Sequence, residues 1–247
     1  MISAGVSQVA IRRSTVLRGR AVYRGWPDVK QVWTLGTVGI PLAGAVLVKF
    51  AVLGVLTCAA ARIGTDSAAV HSVSISLVDL IFTAVVAVGQ APIPLISDCA
   101  TKHDSACIRR SVRAGTWLAL VVVGFIAATV IALSSWVVPL FTRDVDVRPQ
   151  ITDLLPPVLA VVVTDALQAV VGFSVIGLKR TGPGFASTFI CYGVLATVAA
   201  PVATAGGLAA LWTALALANL LQAVSKAYSF CRHSTFTENL QHSPAAT

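Results

Sequence analysis

The chain has 247 residues, of which 56% are hydrophobic and only 11% charged, and its mean hydropathy is +0.84. An ordinary soluble domain carries roughly 25% charged residues, so this composition cannot clothe a water-facing surface, and a soluble enzyme and a disordered chain are both excluded. The net charge of +8 then matters by position: it reports topology and anionic-lipid contact rather than nucleic-acid binding, which needs a clustered basic face with stacking aromatics.

At the start, Met1 to Ala10 lacks a basic n-region and Arg12 and Arg13 cut the apolar stretch short, so no signal peptide is expected. Residues 11–32 are basic, with Arg12, Arg13, Arg18, Arg20, Arg24 and Lys30 against Asp28, and Trp26 and Trp33 lie near the border. Indole rings prefer the headgroup zone and cations the cytoplasmic leaflet, so 1–34 is expected as a basic cytoplasmic or interfacial segment.

Six apolar spans follow, at 35–61, 70–97, 116–142, 151–176, 184–205 and 207–230, with a tail at 231–247. Each reaches the roughly 20 residues that cross a hydrocarbon core. None alternates polar and apolar as barrel strands do, so the fold class is an all-α integral membrane bundle of six transmembrane helices. The linkers are short, the tightest being Ala205 to Gly207, and dictate an up-and-down arrangement. Fourteen Lys and Arg fall on one side, in the N-terminal segment, at 98–115 (Lys102, Arg109, Arg110, Arg113), at 178–183 and at the C-terminal end (Lys226, Arg232). Three, Arg62, Arg143 and Arg148, fall on the other, which places both termini in the cytoplasm of a plasma-membrane protein. Lys49 belongs to neither side.

Pro92 and Pro94, near the end of the second span, remove two backbone donors, so a bend or break is expected there, either a plain kink or part of a translocation path. Gly172 with Ala169 and Ser174 reads as helix packing. The five cysteines, at 58, 99, 107, 191 and 231, form no CxxC pair and no metal spacing with histidine, and are expected as free thiols.

Three ionisable residues lie well inside the spans. At 1.5 Å per residue, Lys49 is roughly 21 Å and Asp165 roughly 18 Å from the inner ends of their helices, so they share a height. Asp79, about 13 Å from the outer end of its span, lies nearer the outside, with Ser72, Ser74 and Ser76 one to two turns away. A mid-membrane charge costs about 2.5 to 3.5 kcal/mol even on the lenient insertion scale, so each needs a partner or a wet cavity. Two readings stay open: a structural Lys49–Asp165 pair, or a polar cavity that handles ions or substrate. An enzyme is not expected, because His71, His103, His233 and His242 fall in loops, at a span end or in the tail, and HExxH, GxSxG and phosphate-loop motifs are absent. No cofactor or metal is expected.

In this order the segments resemble the multidrug and toxic compound extrusion (MATE) transporters, specifically their second six-helix half. "WTLGTVGIPLAG" from Trp33 is similar to that half's opening helix with its Gly-x-Pro, and "DSAAVHSVSISLVDLIFTAVVAVGQA" from Asp66 to the stretch leading into the next. "RRSVRAG" from Arg109, "VPLFTRD" from Val138 and "TDALQAVVGFSVIGLKRTG" from Thr164 resemble the start of the third helix, its exit and the fourth helix. The resemblance implies a small organic, often cationic, substrate exported by alternating access and antiport against a proton or sodium gradient. It also implies that Asp165 matches an acid of the cation site; the candidate ion-coupling or substrate cavity is then Asp165 with Lys49, Asp79 and Gln168. Lys49 stands where such members often carry Glu, which weighs against sodium, because a fixed ammonium repels the ion and takes up the charge of Asp165. The usual Arg-x-Gly after the second helix is replaced at Pro94 to Ser97. Family members have twelve helices in two lobes, and Met1 to Arg13 looks like the end of a preceding helix. Besides the bilayer, the implied partner is therefore a second lobe, from a homodimer or another chain. The alternative is a non-transporting interaction subunit or truncated remnant.

Overall fold

A computed structural model describes residues 29–102, 104–141, 147–177 and 182–241. The approach segment up to residue 28, His103, Arg143, the linker residues 178–181 and the tail from 242 lie outside the described residues, so the charge count that rests on them is not addressed. The chain divides into two compact units, residues 1–37 and 38–247. The described part of the first is helical, and the second holds the bundle.

The elements in order are α1 (Val29–Ile63), α2 (Thr65–Gln90), α3 (Ile93–Thr101), α4 (Ser105–Ala132), α5 (Ser134–Phe141), α6 (Val147–Gly177) and α7 (Gly182–Gln241). Among the described residues five segments are long and apolar enough to cross a membrane, the last running from Gly182 to Cys231. That last segment is a hairpin. Tyr192 and Asn219 would stand about 40 Å apart on a straight helix, yet the Tyr192 hydroxyl donates to Asn219 Oδ1 at 2.8 Å. The reversal sits at Gly207, with φ 65° and ψ −160°, a region only glycine occupies readily. The two arms, 182–206 and 208–241, are the fifth and sixth apolar helices of the expected bundle.

The bend foreseen from Pro92 and Pro94 is present: α2 ends at Gln90, Ala91 and Pro92 form a turn, and α3 continues to Thr101. Pro92 is buried against α4, where a Cβ at Gly115 would lie 2.7 Å from its Cγ, so glycine at 115 is what permits the approach.

Three expectations need correction. The stretch read as a linker at 98–115 is largely helix, because Asp104 caps α4 by accepting from the Cys107 amide at 2.9 Å; Arg109, Arg110 and Arg113 are exposed on its opening turns. Not all cysteines are free thiols, since the antiparallel approach of α3 and α4 brings Cys99 and Cys107 to a Cα separation of 5.8 Å and a disulfide joins them. His71 is not at a span end, because α2 starts at Thr65 and carries it inside, 1% exposed and 5.4 Å between ring centroids from Trp212.

The core runs through Leu56, Val70, Val85, Val123, Val158, Tyr192, Leu211 and Trp212. The central helix is α6: 56% of its most apolar stretch is buried, against 17–28% in the other spans. Large apolar side chains such as Leu47, Phe50, Trp117, Phe125, Phe189 and Leu217 point outward, as a lipid-facing surface requires and a soluble fold does not tolerate.

Candidate functional site

Because α6 is central, the polar residues midway along it, Asp165 and Gln168, are buried in the bundle. Asp165 is 2% exposed. Lys49 on α1 donates to Asp165 Oδ2 at 2.6 Å across 116 residues of sequence, and its ammonium also lies 3.6 Å from the centre of the Phe82 ring on α2. The matched depths read from the two helices thus correspond to contact. Gln168, one turn along α6, donates from Nε2 to the other carboxylate oxygen, Oδ1, at 2.8 Å.

The next link was not anticipated. Lys226, on the second arm of α7, donates to Gln168 Oε1 at 2.5 Å and more weakly to Gln222 Oε1 at 3.5 Å. It is 7% exposed and belongs to the bundle interior, not to the cytoplasmic cations among which it was counted. The reason is length: α7 continues to Gln241, so position 226 lies well within the helix. The orientation of the Gln168 amide is settled from both ends, because its oxygen must meet an ammonium and its nitrogen a carboxylate. Lys49, Asp165, Gln168 and Lys226 therefore form one continuous chain of charge-assisted hydrogen bonds through three helices.

Lys49 stands in the wall between two cavities. The larger, about 150 Å³, is lined by Lys49, Lys226, Gln168, Gln222, Tyr192 and Thr188 together with Pro41, Phe82, Phe173 and Phe185. The smaller, about 20 Å³, holds Asp165 and Asp79 beside Trp212 and Asn219. Asp79 is exposed and lies beyond ion-pair distance of Lys49, so the structure brings it to the neighbourhood but not into the chain of bonds. The serines near it do not complete a site: Ser74 and Ser76 donate back to the carbonyls of Val70 and Ser72 on their own helix. Among the described residues no group of three or more His, Cys, Asp or Glu is placed to hold a metal ion.

Tyr192, Asn219, Gln222 and Lys226 escaped sequence reasoning. The signal was there for three of them: Asn219, Gln222 and Lys226 recur at spacings of three and four in an otherwise apolar helix, which puts them on one face.

A family model described as MatE matches residues 41–202. A curated protein described as "Probable multidrug resistance protein NorM", from Aromatoleum aromaticum (strain DSM 19018 / LMG 30748 / EbN1), is 26% identical over 162 residues, which cover 65% of this chain and 35% of that protein. Among solved structures, an outward-facing multidrug resistance MATE family transporter of the MOP superfamily superposes with a TM-score of 0.84 at 13% identity, over 96% of this chain and 55% of that one. A MATE protein in complex with MaL6 gives 0.83 at 12%, again over 96% and 55%. The chain thus spans about half the length of the solved structures it resembles and about a third of the curated relative.

Proposed function

The chain belongs to the MatE family, and from that premise we propose that it is one lobe of a proton-coupled antiporter that exports small organic compounds by alternating access. Its family is one of multi-pass membrane transporters, not of enzymes. The observation that carries the proposal is the buried Lys49–Asp165 pair at the centre of the bundle, wired through Gln168 to the wall of a cavity.

In the ionised state the carboxylate of Asp165 neutralises Lys49. A proton arriving at Asp165 removes that charge, and the Lys49 ammonium is left without its counter-ion at membrane depth, a state several kcal/mol more costly. The bundle relieves the cost by adopting the facing in which Lys49 reaches water, so protonation shifts the population between two facings and the cargo site is presented on only one side at a time. A proton suits this role better than sodium, since an ammonium 2.6 Å from the carboxylate occupies the place of a metal cation and repels one. A second lobe closes the cavity; both termini are cytoplasmic and the membrane is the plasma membrane.

The test is transport in sealed vesicles under an imposed pH gradient, with fluorescent dyes of either charge. The parent chain moves dye against its gradient and Asp165→Asn does not. Equal gradient-driven transport by the two would overturn the coupling role.

A further inference from the structure

The charge of the cavity wall bears on the charge of the cargo. The resemblance to multidrug exporters implies organic cations, but the 150 Å³ cavity is lined by two lysines and no carboxylate; both acids in the neighbourhood, Asp79 and Asp165, line the smaller cavity on the far side of Lys49. Lys49 and Asp165 cancel each other, which leaves Lys226 as the uncompensated charge of the wall. No carboxylate among the described residues lies within ion-pair distance of Lys226, and a buried ammonium without an anion is the costly arrangement.

Hydrogen bonding points the same way. Lys226 has three N–H groups and two protein acceptors, Gln168 Oε1 and Gln222 Oε1, so one donor is left over. Gln222, 0% exposed, turns its oxygen to Lys226, and its Nε2 makes no well-formed hydrogen bond, with the Tyr192 hydroxyl in its neighbourhood. Residues 222 and 226 are one turn apart on the same helix face, so the two spare donors sit side by side in the cavity wall. The wall holds more N–H donors than it pairs with acceptors, which is the complement of a carboxylate. Apart from Thr188 and the Tyr192 hydroxyl, the remaining lining is apolar and aromatic, from Phe82, Phe173, Phe185 and Pro41 among others, and a cavity of this volume accommodates a benzene ring.

We propose that this cavity binds soluble organic anions, an aryl or alkyl body among the phenylalanines with its carboxylate on Lys226 and Gln222. The proposal rests on the reading of the cavity as the cargo site, and it concerns the form in which the Lys49–Asp165 pair is closed.

The experiment compares three matched probes, phenylacetate, phenylacetamide and phenethylammonium, by equilibrium binding to the full chain in nanodiscs of zwitterionic phosphatidylcholine. Phenylacetate binds roughly tenfold or more tightly than the amide, as a charge-assisted pair of bonds requires, and phenethylammonium binds no better than the amide. Lys226→Gln abolishes the carboxylate's advantage while leaving the amide's affinity in place, and Lys226→Arg keeps it. Phenethylammonium binding as tightly as phenylacetate, an advantage that survives Lys226→Gln, or no binding of phenylacetate overturns the proposal. Should Lys226→Gln fail to fold, the parent's own ranking of the three probes decides. An advantage that vanishes when anionic phosphatidylglycerol is added would give the site to a lipid headgroup and overturn it as well. Binding at equilibrium needs no gradient, so a wrong charge preference leaves the coupling role of Asp165 standing, and a failed coupling test leaves the preference standing.

Discussion

Lys226 and Gln168, 58 residues apart on α7 and α6, are joined by a hydrogen bond of 2.5 Å inside the bundle. The bond turns what would be a local ion pair between α1 and α6 into a chain that spans three helices. A change at any member is therefore felt by the others, and the amide in the middle has no slack, since both of its polar atoms are engaged.

Replacing that amide by an apolar group of similar size strips Asp165 of one donor and Lys226 of its nearest acceptor. Gln168→Met is expected to destabilise the bundle by about 1–3 kcal/mol per buried group left unsatisfied. Thermal unfolding in detergent checks this, and a melting temperature equal to the parent's would show that the relay contributes nothing to stability.

The Lys49–Asp165 pair is open to a double-mutant cycle. Lys49→Met alone leaves a buried carboxylate without its cation, and about 3–5 kcal/mol is lost. Lys49→Met combined with Asp165→Asn removes both charges, so it costs less than the two single changes summed. The charge swap, Lys49→Asp with Asp165→Lys, separates structure from coupling: it restores folding, as a pair of either polarity does, and leaves gradient-driven transport abolished because the protonatable group has moved to another helix.

Gly207 carries the hairpin. Its backbone lies in a region that side chains with a Cβ enter at a cost of about 1–3 kcal/mol, although nothing lies within 4 Å of where a Cβ would stand. Gly207→Ala is expected to lower stability by that amount through backbone strain alone. A Gly207→Ala chain as stable as the parent, measured by the same unfolding assay, would place the reversal elsewhere.

The disulfide between Cys99 and Cys107 is read most simply by mass. Alkylation of the denatured chain without reductant leaves these two positions unmodified, and prior reduction exposes both. Full alkylation without reductant would mean the pair is reduced in the purified protein.

The helices were legible in the sequence because a lipid-exposed segment must be long, apolar and internally hydrogen-bonded, and nothing else in this chain competes with that pattern. The Lys49–Asp165 contact was legible for a related reason: depth is countable along a helix, and two opposite charges at one depth have few other solutions. Composition misled at 105–115, where Arg109, Arg110 and Arg113 mark a helix that begins outside the membrane; polarity reports the solvent a segment meets, not whether it is helical. Lys226 was misplaced because a cation close to the end of an apolar run looks like a topological charge, and only the continuation of α7 to Gln241 shows how deep it lies. Tyr192 offered no signal, a single aromatic in an apolar span whose hydroxyl finds Asn219 only after the chain reverses at Gly207.

The central claim is that Asp165 couples the proton to transport instead of merely holding α1 to α6. It is tested most directly by comparing gradient-driven uptake with exchange at equal pH, using one labelled cargo in vesicles that carry either the parent chain or Asp165→Asn. The account predicts that Asp165→Asn loses the gradient-driven component entirely and retains only slowed exchange, because a permanently neutral side chain favours one facing without sealing the other. Gradient-driven uptake by Asp165→Asn at the parent's rate would contradict it.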